Sequence, residues 1–432
     1  MAQAKKPQVR CDFCGSVLDP SKEHIMIQSK HGQFICTKCA ERFANAYADI
    51  VRENHKYAKR GDEAAAKQKL RFVPSSIKKY LDDYIIGQEG AKKTIATAIF
   101  NHKMLLDMKR EGYEGAEDIE KSNILMVGPS GVGKTAMIKR LAKALDVPFV
   151  IEDTTSFSST GFVGKDLESI LRDLYENADG NIERAERGIV YIDEIDKCSR
   201  KGENPSISTD PTHEALQQGL LKILEGSVVE VSEQKGARHH PNAPTFKMDT
   251  TNILFICGGA FEGIEKIIAR RQKKHQASVG FGSKVILDEG KAYNEYIDDI
   301  RTEDLKKFGM MPELLGRLPV ICTLKALPEE DLIRILTEPK NSLVKQYQTL
   351  FAANGVELEF TDEALFHIAH QAIERGTGAR SLRSIVEAVL TDAMYEVPDE
   401  EDVCKVVVDV DENGEIKIVK EVQEEFSKGA HA

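Results

Sequence analysis

Three groups of residues in this 432-residue chain have types and spacing suited to chemistry. The first is Gly128-Pro129-Ser130-Gly131-Val132-Gly133-Lys134-Thr135, followed by Ala136. Glycines at this spacing let backbone N–H groups close round phosphate oxygens, and a helix starting here adds the positive end of its dipole. Lys134 can reach the β- and γ-phosphates, and the Thr135 hydroxyl can hold Mg²⁺. The second is Asp193-Glu194, which ends the apolar run Ile189-Val190-Tyr191-Ile192. Asp193 would help to position Mg²⁺, and Glu194 would orient and activate an attacking water. Taken singly, the first could be a glycine-rich turn and the second a solvated acidic turn; a phosphate loop with a downstream acidic pair is the set that hydrolyses a nucleoside triphosphate. The third is Cys11-x2-Cys14 and Cys36-x2-Cys39, with 21 residues between the pairs. Two such pairs can close a tetrahedral thiolate site, and a small module needs such a staple. The gap is one residue beyond the usual range for paired zinc motifs. Redox CxxC motifs come singly near a βαβ pattern, which this region lacks, so structural Zn²⁺ is the reading; four cysteine ligands leave no open position for catalysis.

Other residues carry weaker signals. Gly161-Phe162-Val163-Gly164 places an aromatic–aliphatic pair between glycines, which is out of place in a solvated loop; a hairpin tip or a buried turn is the plain alternative to a functional loop. Arg317 and Arg380 stand at element boundaries. Each could cap carbonyls or face solvent, or could neutralise a γ-phosphate with its planar guanidinium. Arg238-His239-His240 lies in an exposed-looking loop, and adjacent histidines converge poorly on one metal ion. Cys257 and Cys322 sit in apolar runs and read as small buried hydrophobes.

The elements that must position these groups follow from periodicity. Residues 124–127 and 189–192 form short apolar runs of buried-strand type, as do residues 253–256; helical spacing covers 88–109, 135–145, 166–176 and 213–224. Strands alternating with helices predict an α/β fold with a parallel sheet covered on both faces. Residues 199–212, 232–249 and about 272–300 read as long exposed loops. After Leu324 the strand signal fades; helices are expected over 329–350, 361–375 and 379–395, with late β-like runs at 403–409 and 416–421. The expected division is a zinc-binding domain at 1–52, a charged linker at 53–73, a large P-loop domain at 74–322, a small, mostly helical domain at 323–422 and a tail at 423–432. Composition bounds the function. Hydrophobic residues at 41% supply material for a core, which excludes a wholly disordered chain. No run approaches a membrane span, and the start has no apolar stretch of secretory type, so a cytoplasmic, reducing location is expected. A formal net charge of −11 disfavours a protein whose main task is coating nucleic acid.

In order and spacing these motifs resemble the AAA+ superfamily, HSP100/Clp branch, and the four-cysteine module fused to the core resembles the ATPase subunits of the Clp protease that carry one. The likeness runs from about Cys11 to about residue 420 and includes Ile86-Gly87-Gln88, residues 204–207 and residues 254–261. It implies an AAA+ large domain, a small domain and a homohexameric ring that uses ATP to pull tagged proteins through an axial pore, unfold them and deliver them to the ClpP peptidase, with adaptors as further partners and a zinc module that dimerises. Membrane and nucleic-acid partners are not expected. By the same resemblance Lys134, Thr135, Asp193 and Glu194 serve the nucleotide, Ile85 and Ile86 contact adenine, Arg317 acts on a neighbour's ATP, and Arg380 senses nucleotide state. Phe162 and Val163 match a pore loop, residues 199–212 a second pore loop, and Val279-Gly280-Phe281 the ClpP-docking loop. Three positions depart from the family pattern. Phe162 replaces Tyr, which keeps bulk and planarity. Val279 replaces Ile, which removes one methylene worth about 0.8 kcal/mol of burial. Arg238-His239-His240 replaces Arg-Lys-His, which turns one fixed charge into a pH-dependent one. Rival readings are an HslU-like protease ATPase, which lacks the cysteine module, a DNA-acting AAA+ machine, and a zinc adaptor without enzymatic activity.

Overall fold

A computed structural model of the protein describes residues 10–14, 16–17, 26–28, 33–40, 73–145, 147–157, 167–199, 211–232, 244–276, 289–400 and 402–422. Phe162 and Val163, residues 200–210, Arg238-His239-His240 and Val279-Gly280-Phe281 lie outside these residues. The chain divides into two compact units, Met1–Arg71 and Phe72–Ala432. In the first, strands β1 (Met26–Gln28) and β2 (Phe34–Cys36) pair antiparallel, with Met26 opposite Cys36.

The second unit contains a five-stranded sheet of β3 (Ile124–Val127), β4 (Phe149–Asp153), β5 (Ile189–Asp193), β8 (Leu254–Gly259) and β9 (Val320–Thr323). Their order is β4-β5-β8-β3-β9, every neighbouring pair parallel. Every residue of β3 and β8 is buried, as a parallel strand covered on both faces requires. The expected α/β class with a parallel sheet is what the chain forms. The helix Lys134–Leu145 turns Met137, Ile138 and Leu141 inward, and Glu89–Arg110 does the same with Ile95 and Ile99. Strand β4 has a half-buried alternating pattern, and the periodicity reading omitted it.

Two of the expected long loops are partly regular. Strands β6 (Val228–Ser232) and β7 (Thr245–Asp249) pair antiparallel, in place of a loop spanning 232–249. The reason is alternation: Val231 and Met248 are fully buried while Val228 and Thr245 face outward, and Phe246 stacks on Tyr175 with ring centroids 4.3 Å apart. Within 272–300, helices Ile264–Gln276 and Glu289–Tyr296 occupy both ends.

The C-terminal part has its own buried apolar cluster, built on Leu336, Ile368, Leu390, Val406 and Val408. The helix expected over 329–350 is two, Glu329–Thr337 and Leu343–Ala353. Pro339 lacks the N–H that a continuing helix needs, and the Ser342 hydroxyl caps the second helix through the Lys345 N–H. Helices Asp362–Glu374 and Leu382–Glu396 follow. A mixed sheet joins them: β10 (Glu357–Phe360) lies parallel to β11 (Val403–Val410), which pairs antiparallel with β12 (Ile416–Val422). Among the described residues, no helix is long and apolar enough to cross a membrane.

Candidate nucleotide site and cysteine cluster

The phosphate loop leaves the carboxyl end of β3 and enters the helix Lys134–Leu145. Gly131 and Gly133 have φ of +78° and +99°, a region that a side chain would strain. Gly131 has a second constraint: a Cβ there would run into the Thr377 carbonyl oxygen. Lys134 is 8% exposed, and its ammonium donates to the carbonyls of Gly128 and, at 2.8 Å, of Pro129. Burial pulls its pKa below the usual lysine range, against the pull of Asp193 and Asp196. A buried cation held by neutral carbonyls is a ready acceptor of phosphate charge.

The two motifs meet at Thr135. The Thr135 hydroxyl donates to Asp193 Oδ2 at 2.7 Å, across 58 residues of sequence. Asp193 Oδ1 takes the Glu194 N–H at 3.0 Å and the Tyr191 hydroxyl at 3.2 Å. Glu194 itself has φ of +56°, unusual for a residue with a Cβ, and the Thr154 hydroxyl holds its carbonyl at 2.6 Å. That backbone turn ends β5 and starts a short 3₁₀ turn at Ile195. Burial raises the Glu194 pKa, and the charge of Asp153 adds to it; a raised carboxylate is a better proton acceptor near neutrality.

Ser130, Gly131, Gly133, Lys134, Thr135 and Ala136 line a cleft of about 320 Å³ together with Asp193 and Glu194. Asp196, Lys197, Ala260 and Glu262 complete it from the same lobe, and Ala379 and Arg380 enter from the C-terminal part. Gly128 and Val132 act behind the lining: a Cβ on Gly128 would meet Leu324 Cβ at 2.7 Å, and Val132 is 5% exposed. Ile85 and Ile86 do not line the cleft. They precede Gly87 and Gln88, both at positive φ, where the Gln88 amide exchanges two hydrogen bonds with the Lys325 backbone. Asp196 escaped the motif reading, although it stands two residues after Glu194. It is buried and accepts the Ala260 N–H at 3.1 Å, which ties the turn after β5 to the end of β8.

Arg317 lies elsewhere. It precedes β9, at the amino-terminal edge of the sheet, whereas the phosphate loop leaves the carboxyl edge of the adjacent β3. The strand between them spans about 10 Å. Arg317 Nε pairs with Glu225 at 3.2 Å, and its carbonyl accepts from the buried Asn123 amide at 3.0 Å.

In the amino-terminal unit the ligand sulfurs of Cys11, Cys14, Cys36 and Cys39 all lie within 4.8 Å of one another. The Cys14 and Cys36 sulfurs are 3.7 Å apart, close to the sulfur–sulfur edge of about 3.8 Å that four 2.3 Å bonds to one ion give. Hydrogen bonding to Ser16 lowers the Cys14 pKa to about 6, while the neighbouring Cys14 side chain, with burial, raises Cys39 to about 12. Four crowded thiols resist joint ionisation unless a cation compensates them, so this donor set fits Zn²⁺. The other buried cysteines behave differently: burial alone pushes Cys322 up to about 12 and is the main cause that raises Cys198 to about 11, as inert thiols.

Comparison with known proteins gives the family. Residues 119–321 match the AAA domain (Cdc48 subfamily), and residues 327–408 match the C-terminal, D2-small domain, of ClpB protein. The "ATP-dependent Clp protease ATP-binding subunit ClpX" of Treponema denticola is 44% identical over 389 residues, covering 90% of each chain. The proteins of the same name from Bacteroides thetaiotaomicron and Bacteroides fragilis are each 45% identical, over 91% and 93% of this chain and 92% and 94% of theirs. The chain belongs to the ClpX family.

A ClpX-family AAA domain is an ATPase that works with nucleotide and Mg²⁺, and the residues of the cleft fit both. Lys134 and Arg380 supply positive charge, positive-φ glycines supply a backbone cradle, and Thr135 with Asp193 supplies oxygen donors at a helix start. Bound Mg²⁺ would neutralise charge on the phosphate oxygens. The chain's own residues are placed for this: the Lys134 ammonium is held at the loop carbonyls, Asp193 accepts from the Thr135 hydroxyl, and Glu194 lines the cleft with a carboxylate of raised pKa.

The cysteine cluster supports a prediction. Purified protein holds about one Zn²⁺ per chain by atomic absorption, and Cys36→Ser lowers this well below one. Metal withdrawal unfolds the module locally, since structural Zn²⁺ supplies on the order of 10–16 kcal/mol of apparent folding energy. ATPase activity of the second unit survives, because no cysteine of the cluster lines the cleft.

Proposed function

We propose that this ATPase unfolds tagged proteins and threads them through the axial pore of a homohexamer into the ClpP peptidase. The observation that carries the reading is the position of Arg317, which stands at the sheet edge away from its own cleft while Glu225 and Asn123 hold it in place. In this reading an arginine so placed acts on a neighbour's site, and a closed ring gives every site such a neighbour. The name printed for the relatives, a Clp protease subunit, supports the peptidase partner. The reading divides the chain at 1–52, 53–73, 74–322, 323–422 and 423–432. It assigns substrate grip to Phe162 and Val163, tag recognition to the loop with Arg238-His239-His240, and docking to Val279-Gly280-Phe281. The zinc module dimerises and receives adaptors, and the machine works in the cytoplasm. The four cysteines and the printed names of the relatives disfavour the HslU-like alternative.

The test is loss of fluorescence from a degron-tagged fluorescent protein on incubation with ATP and a ClpP partner. Parent protein is expected to abolish the signal. Phe162→Ala is expected to keep at least half of the ATPase rate and slow the fluorescence loss at least tenfold. Parent protein that hydrolyses ATP yet leaves the tagged protein folded would refute the proposal.

A further inference from the structure

Asp193 can position a cation only if its carboxylate is itself held. Its Oδ2 is tied to Thr135, a partner that has its own proposed duty toward Mg²⁺. Its Oδ1 is held by the Glu194 N–H, at the positive-φ turn that follows β5, and by the Tyr191 hydroxyl. Tyr191 is 0% exposed and lies within β5, two residues before Asp193 on the same strand.

We infer that Tyr191 is a positioning residue for divalent-cation binding: its hydroxyl, donated to Asp193 Oδ1 at 3.2 Å, fixes the plane of the carboxylate that faces the cleft.

The neighbouring strand is shaped for this hydroxyl. Strand β8 reads Leu254-Phe255-Ile256-Cys257 and then changes to Gly258-Gly259. A Cβ at Gly258 would overlap the Tyr191 hydroxyl, so a glycine makes room for the phenol at the point where the strand ends beside the cleft. Gly258 has an ordinary negative φ, which means backbone conformation does not demand a glycine there. A phenylalanine at 191 would keep the ring in the core and leave one carboxylate oxygen without this partner.

The inference rests on the role proposed for Asp193, and the test separates the two. Binding of a fluorescent ATP analogue is titrated with Mg²⁺ for the parent, Tyr191→Phe and Asp193→Asn, with melting temperature measured alongside in the absence of nucleotide. Tyr191→Phe is expected to raise the half-saturating Mg²⁺ concentration about tenfold, the lower end for loss of a residue that orients a ligand. Analogue binding without Mg²⁺ stays at the parent value, as does the melting temperature to within a few degrees. A Tyr191→Phe protein with parental Mg²⁺ dependence overturns the inference, whether or not its melting temperature falls. If Asp193→Asn also keeps parental Mg²⁺ dependence, the role of Asp193 fails and the inference with it.

Discussion

Glu194→Gln lowers kcat for ATP hydrolysis by about 10²–10⁴-fold, the range that a positioned general base contributes, and leaves nucleotide bound. The side chain keeps its size and its place on the strained turn, since the Thr154 hydroxyl holds the Glu194 carbonyl and not its carboxylate. The Thr135–Asp193 contact and the Lys134 bonds to the loop carbonyls remain, so affinity for ATP and Mg²⁺ stays within about threefold of the parent, because what is lost acts mainly in the transition state. What is lost is a carboxylate whose pKa burial and Asp153 hold above the usual range. The same raised pKa sets a pH dependence. The base acts when ionised, so the parent's kcat falls as pH drops through that pKa, and the glutamine variant loses this acid limb. Steady-state kinetics across pH, with equilibrium binding of a fluorescent nucleotide, measures both. A variant with parental turnover would remove Glu194 from the mechanism.

Arg317→Ala lowers kcat by about 10³–10⁵-fold in the assembled ring, the range measured for an arginine that stabilises a phosphoryl-transfer transition state. Its own cleft is untouched, because neither Arg317 nor its partner Glu225 lines it. ATP affinity of the isolated chain therefore stays parental. The sharper outcome comes from mixing. Co-expressed with Glu194→Gln chains, Arg317→Ala chains recover part of the ATPase activity, because some clefts then combine an intact Glu194 from one chain with an intact Arg317 from the next. An arginine acting within its own chain gives no recovery, and that result would sink the ring-based reading. Arg317 is half-exposed and salt-bridged, and such pairs contribute at most about 1 kcal/mol, so a collapse of the fold is not a competing explanation.

Chemistry carried by contiguous residues was legible before the fold was known. A phosphate loop is eight neighbours in a row, an acidic pair closes a strand, and two CxxC pairs announce a thiolate cluster. The apolar runs at 124–127, 189–192 and 253–256 were legible as the three interior strands for a related reason: the stretches of a strand buried on both faces are apolar without alternation. Half-buried strands gave a weaker signal. Strand β4 alternates, and β6 and β7 interleave Val231 and Met248 with exposed Val228 and Thr245, so each resembles an irregular segment until its partner is in place. Strand β10 was overlooked for the same reason: Leu358 is buried while Glu357 and Glu359 face out.

Sequence alone thus determined which residues could hold phosphate, cation and zinc, because those groups need particular atom types at short spacing. Tertiary structure decided how they are held. It set the Tyr191 hydroxyl against Gly258, brought Asp196 under the end of β8, pressed Thr377 onto Gly131, and turned Arg317 away from its own cleft. Each of these joins residues far apart in the chain, where periodicity carries no information. A Cβ that would collide, or a carboxylate that needs a second donor, exists only once the strands are side by side.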